Sequence, residues 1–179
     1  MAKFNETRNI VLSLINYIEP LLEDEGYNFT FVSNWGADKD IVLPKDYVAG
    51  TNQIKMPAGK FTLTSRPPGT SLGIGDTGKE FTFFFNLFIH AESEGQNLDL
   101  LDFFYNRLSY GQDGRSGHNR ITIYDFGMTG YPSIYAPALY GMTIEDVRHR
   151  PILNLAADNV ALMFAGSITF VGKIVTTIP

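Results

Sequence analysis

The chain contains no cysteine and only one tryptophan among its 179 residues. The first absence removes disulfides, thiolate zinc sites, iron–sulfur clusters and cysteine nucleophiles together. Histidine is scarce too: His90, His118 and His149 leave little material for any other metal site, and no clustered carboxylates show ligand spacing. No cofactor is expected. Positive charge is in short supply, with 14 Lys+Arg against 19 Asp+Glu and a net charge of -5. A chain without a basic footprint is not built to grip nucleic-acid phosphates. Long apolar runs are also missing. The longest, Phe81–Ile89, has strand length and falls far short of the ~18 residues of a membrane span. The polar stretch Met1–Asn9 predicts no secretory signal, hence synthesis in a cytosol-like compartment. Without a secretory route the Asn-x-Thr triplets at Asn5 and Asn28 carry no meaning.

What is present is the makeup of one globular domain. The hydrophobic fraction is 44% and the charged fraction 18%, which excludes disorder. A length of 179 residues predicts a single domain, 1–179, with no internal repeat and no linker. Ile10, Val11, Leu14, Ile15, Ile18, Leu21 and Leu22 recur at helical spacing and predict a helix over 7–25, capped at Asn5 or Thr7. Gly26 stands where a left-handed terminator belongs, and Pro20 predicts a bend or two abutting pieces. Residues 27–33 alternate as a strand, with Tyr27, Phe29 and Phe31 on one face. Residues 53–56 and 60–65 around Pro57-Ala58-Gly59 suggest a hairpin, and 66–78 a shaped loop.

The nearly continuous apolar run 80–91 predicts a central strand covered on both faces. Asn97 is the expected cap of a second helix, 98–110, with Leu98, Leu101, Phe104, Tyr105 and Leu108 on its stripe and Leu100 and Phe103 widening it to two buried sides. A short strand follows at 121–126, then loop or edge strand over 127–143. The alternation over 160–175 predicts one long final strand, bent at Gly166 or Gly172. The expected fold is α+β: a mixed or antiparallel β-sheet covered by two main helices, with long loop or hairpin extensions at 34–60 and 66–79.

Apparent chemical motifs fail on context. Gly73-Ile74-Gly75-Asp76-Thr77-Gly78 spells a dinucleotide fingerprint, but prolines precede it and a strand follows, so no helix N-terminus would meet a pyrophosphate. The near P-loop Gly73–Lys79 continues with Glu80, where magnesium needs Ser or Thr. Asp125-Phe126-Gly127 matches the kinase triplet in letters only. His90, Asp99 and Asp102 could converge as a general-base group, yet no nucleophile or oxyanion hole accompanies them. His149, between Arg148 and Arg150, suggests a cationic surface. No catalytic residue is expected. Twenty-four aromatics remain to be explained. Trp35, Tyr110, Tyr131, Tyr135 and Tyr140, together with Arg148 and Arg150, are the expected subunit-interface residues, since tyrosine couples an apolar body to a polar tip.

The order of these elements resembles that of the tail terminator and neck (head–tail joining) proteins of long-tailed bacteriophages. The matching pieces are the opening amphipathic helix, Phe29-Thr30-Phe31-Val32, and Phe83–Ile89 running into His90-Ala91-Glu92-Ser93-Glu94-Gly95-Gln96 and the helix Leu98–Leu108. Ile121-Thr122-Ile123-Tyr124-Asp125-Phe126 and a long terminal strand complete the series. They span roughly 7–33 and 80–175, and the segments at 34–60 and 66–79 depart from compact members. The resemblance implies a structural virion protein without enzymatic activity, assembled in the host cytoplasm into a ring, usually of six copies. Its implied partners are the tail tube, a sheath where one exists, and the head-side connector. DNA would pass through without specific binding, past an acidic or neutral lining. Other stations in the neck, tube or baseplate fit the same pattern. The contrasting expectation is a small nucleotide-binding hydrolase using the 73–80 loop.

Overall fold

The computed structural model describes residues 6–32, 40–42, 48–49, 53–65, 70–71, 78–110, 120–126, 133–154 and 161–177. Helix α1 (Glu6–Asp24) buries Ile10, Leu14, Ile18 and Leu22 along one stripe, as the spacing requires. It passes through Pro20 as one element, so of the two expected alternatives, a bend or two abutting pieces, the second does not occur. Pro20 and Asn16 both lie on the exposed side, so the Asn16 carbonyl deprived of its helical donor stays open to water. Gly26 ends the helix at φ 82°. Its N–H donates to the Glu23 carbonyl and the Tyr27 N–H to that of Leu22, both at 2.9 Å, the paired bonds of a Schellman terminator.

The fold is α+β, built on a seven-stranded mixed sheet. Its strands are β1 (Thr30–Phe31), β4 (Ala58–Ser65), β5 (Thr70–Ser71), β6 (Gly78–Ala91), β7 (Arg120–Asp125), β8 (Ser133–Asn154) and β9 (Ala161–Thr177). They run in the order β1-β4-β6-β9-β8-β7, with β5 alongside β6. Among the described strands of this sheet only the β1–β4 pairing is parallel. A second, two-stranded parallel sheet joins β2 (Asp40–Val42) to β3 (Gln53–Lys55).

The expected hairpin around Pro57-Ala58-Gly59 does not form. β3 pairs with β2, while β4 pairs with β1 and β6, and Met56–Pro57 is a cis peptide. Gly59 is a strand residue and not a turn glycine. A Cβ there would stand 2.6 Å from Phe29 Cζ and 2.6 Å from the Phe88 carbonyl oxygen, so its bareness admits the Phe29 ring.

Helix α2 (Glu94–Ser109) is capped by Ser93 and not by Asn97. Ser93 Oγ accepts from the Gln96 N–H at 3.2 Å, and Gln96 Oε1 accepts from the Glu92 N–H at 2.9 Å. Asn97 is fully buried one turn further in. The inward stripe is Asn97, Leu100, Leu101, Phe104 and Leu108, while Leu98 and Tyr105 are exposed at 45% and 38%. The expected burial on two sides fails because those two residues sit about 100° from the stripe.

Both helices pack on one face of the sheet, against Phe83, Phe85, Leu87 and Ile89 of β6, Ile121 and Ile123 of β7, and Ile168, Phe170 and Ile174 of β9. Phe61 meets Phe104 edge-on, and Phe85 stacks on Phe170 at 5.0 Å. Much of the aromatic excess is therefore core. Strand β6 is central, as predicted, and its ladder with β9 runs from Gly78↔Thr177 to Ala91↔Phe164 without a register shift. Coverage on both faces is not found: Phe84 is half-buried and Phe88 is 41% exposed. Strand β8 corrects the expected loop or edge over 127–143, for from Ser133 onward the chain is extended and β8 lies inside the sheet between β9 and β7.

Candidate functional site

Strand alternation and register fix what the helix-free face of the sheet presents. Phe83, Phe85, Leu87 and Ile89 point to the helices, so Phe84, Asn86, Phe88 and His90 point away. The pairings then set side chains in rows across β4, β6, β9 and β8. One row reads Lys60, Phe88, Ser167, Arg148, and the next Thr62, Asn86, Thr169, Asp146. A third reads Ser65, Phe84, Val171, Thr143. A fourth holds Thr82 and Lys173 with the strand positions of Tyr140 and Arg120. The Thr169 hydroxyl donates to Asn86 Oδ1 at 2.8 Å, Lys173 pairs with Glu80 at 3.1 Å, and Arg148 pairs with Asp146. This face is a hydroxyl-rich surface with two phenylalanines along its middle strand. Its described side chains include the cations Lys60, Arg120, Arg148 and Lys173 and the carboxylates Glu80 and Asp146, with the exposed Glu145 at the bulge beside Asp146.

The helix layer has the opposite sign. Glu19, Glu23 and Asp24 of α1, Glu25 after it, and Asp99 and Asp102 of α2 are exposed. Arg107 reaches Glu25 at 3.1 Å. An open depression between α2 and the segment that follows α1 is lined by Glu25, Tyr27, Asp99, Asp102, Phe103, Asn106 and Arg107. Burial, reinforced by Asp99 and then Glu25, raises the Tyr27 phenol above its ordinary value. The last two causes report the negative field of that layer.

Two buried polar clusters were not anticipated. Asn9 and Ser13, on the buried side of α1, face the outer edge of β7. Ser13 Oγ accepts from the Tyr124 N–H at 2.9 Å and donates to the Asn9 carbonyl at 2.7 Å, while Asn9 Oδ1 accepts from the Phe126 N–H at 3.1 Å. α1 thereby closes that edge of the sheet with side chains. Two polar residues four apart beside an apolar stripe were the available signal.

The second cluster joins α2 to β8. The Asn97 amide lies 2.5 Å from His149 Nδ1, and His149 Nε2 is 3.4 Å from Glu94 Oε1. The His149 ring lies parallel to that of Phe164. His149 is therefore turned to the helix side and does not form one cationic surface with Arg148, because strand alternation separates neighbours. No local pattern could have paired it with Asn97.

Of the expected interface residues, Tyr110 is 40% exposed and meets Tyr105 edge-on, and Arg148 is exposed on the open face. Tyr135, Tyr140 and Arg150 lie on β8, where only their strand positions are described. Trp35, Tyr131 and His118 fall outside the described residues, as do most of 34–52, 66–69 and 72–77. His90 and the pair Asp99 and Asp102 are on opposite sides of the sheet, so the structure does not bring them together. Burial pushes the His90 imidazole below its ordinary value. Gly78, Lys79 and Glu80 open β6, so a strand and not a helix follows the glycine run. Among the described residues no three potential ligands gather as for a metal ion, and no helix is long and apolar enough to cross a membrane. No protein-family model matches the chain, and no curated protein matches it either.

Proposed function

We propose that this chain is a structural, non-enzymatic virion protein that forms a ring at the head-proximal end of a bacteriophage tail. In this reading it closes the tail tube and joins it to the head-side connector, and DNA passes through the ring. One observation carries the reading. The pieces on which the sequence resemblance rests, α1, β1, β6 running through Glu92–Ser93 into α2, β7 and β9, all belong to the sheet and its helix layer, which β4, β5 and β8 complete. Among the described residues no helix lies on the other face of the sheet, which with the exposed side of α2 offers surfaces for contacts with other chains.

Heterologous contacts between such faces close into rings when the rotation between copies allows. A tube or baseplate subunit would use the same surfaces, and position in the particle separates these stations. The hydrolase reading gains nothing from the described residues: the strand begins where a phosphate-binding helix would, and Glu80 is engaged with Lys173. The test is to locate the protein in purified virions by immuno-electron microscopy, with density expected at the head–tail junction. Absence from virions, together with thermal stabilisation by a nucleotide, would overturn the proposal.

A further inference from the structure

Among the described residues the exposed large apolar side chains are Val48, Phe88, Leu98, Tyr105, Tyr110 and Val147. Phe88 stands on the open sheet face near the His90 end of β6, in register with Lys60 on β4 and one strand removed from Arg148. Leu98 and Tyr105 lie on the outer flank of α2 with Asp102 between them, at steps of four and three, so the three form one stripe. Asp99 adjoins the stripe, and Tyr110 touches Tyr105 at its end. One surface is thus an aromatic side chain flanked by cations, and the other is an apolar stripe flanked by carboxylates. They occupy opposite sides of the same domain.

We infer that copies of this chain meet head to tail, the open sheet face around Phe88, Lys60 and Arg148 of one packing on the Leu98–Asp102–Tyr105 stripe of the next. The inference rests on the ring reading, since a head-to-tail contact is what a closed ring requires. Complementary charge favours this pairing over sheet face on sheet face, which would oppose like charges.

The size is adequate. From β4 to β7 and from Glu80 to His90 the face measures about 19 Å by about 34 Å, by ordinary strand spacing and rise. That approaches the roughly 800 Å² that each partner of a stable complex contributes. Arg148 and Lys173 are each paired within the face, with Asp146 and Glu80, so Lys60 and Arg120 are the cations it offers outward, enough to meet Asp102 and Asp99 of a neighbour and too few to track a phosphate backbone. Covering this face with a neighbour also keeps its cations off DNA in the channel.

The test uses the full chain in two forms that each spoil one face at exposed positions, F88D for the sheet and the double substitution Leu98→Lys, Asp102→Lys for the helix. Far-UV circular dichroism checks that both fold, and K60E serves as a second sheet-face variant. Self-association is followed by analytical ultracentrifugation. Wild type should assemble, and loosen as salt rises to about 0.5 M, where charge pairing is screened. Each variant alone should associate at least ~10-fold more weakly, the size of a lost interface anchor. Mixing the two should give a 1:1 dimer that grows no further, since each keeps one sound face.

Assemblies of wild-type strength in both variants would overturn the inference and leave the ring reading standing. So would a wild type monomeric at about 1 mM in low salt, or a monomer whose F88D form loses binding to a single-stranded oligonucleotide. A chain absent from purified virions overturns the ring reading instead, which is a separate result.

Discussion

Ser13 offers the sharpest test of how this sheet is closed. Its hydroxyl is fully buried and does two things: it accepts the Tyr124 N–H at 2.9 Å and donates to the Asn9 carbonyl at 2.7 Å. In Ser13→Ala the Asn9 carbonyl loses little, because the α1 backbone can still engage it. The Tyr124 N–H loses its acceptor where the helix covers it, at about 1–3 kcal/mol for an unsatisfied donor. Alanine returns about 0.5 kcal/mol through better helix propensity. The net expectation is a loss of about 0.5–2.5 kcal/mol. Adding Asn9→Ala removes the acceptor of the Phe126 N–H as well and should bring the total to between about 1 and about 5 kcal/mol.

Urea denaturation reads the stability, and an unchanged slope shows that the native surface is intact. Amide exchange at Tyr124 and Phe126 should speed up in step, because those two N–H groups are the ones released. The double variant should also aggregate more readily, since an uncapped edge can recruit another strand. If the double variant stays within about 0.5 kcal/mol of wild type with both amides equally protected, the closure of β7 by side chains is wrong.

Three further outcomes follow from particular contacts. Gly166→Ala would set a Cβ 2.9 Å from Asn97 Oδ1 and from Leu101 Cδ2, so those two buried side chains must shift within a packed layer at a cost of about 1–3 kcal/mol, measurable by thermal denaturation. Phe104→Ala should cost about 3–5 kcal/mol, because its fully buried ring meets Phe29, Phe31 and Phe61, while Leu98→Ala on the same helix should change monomer stability by less than about 0.5 kcal/mol. Burial depresses the His90 pKa in the folded state, so the unfolded chain binds the proton first as pH falls. Stability should therefore be full above the ordinary histidine pKa of about 6.5 and decline below it, and His90→Gln should flatten that decline in chemical denaturation at pH 7 against pH 5.

What the sequence by itself determined is the part governed by short periods and by local chemistry. The inward stripe of α1, the glycine terminator at Gly26, the central place of β6 and the two faces of β9 all follow from spacings of 3.6 or 2 residues read within one element. The α+β class follows from their succession. Only the tertiary structure decided which strands pair, because β4 takes its neighbours from residues 30–31 and 84–90, distant in the chain. The same holds for Gly59, whose role is set by the Phe29 ring and looks like a turn signal in sequence. Ser13 finding the edge of β7, and Asn97 finding His149, are contacts across more than fifty residues that no local pattern encodes. The open face is the clearest case. The apolar run through Phe84 and Phe88 reads as doubly covered, yet both helices settle on one side, where the larger side chains of three strands converge. Burial belongs to the assembled layers, and hydrophobicity alone cannot say which of two faces will receive them.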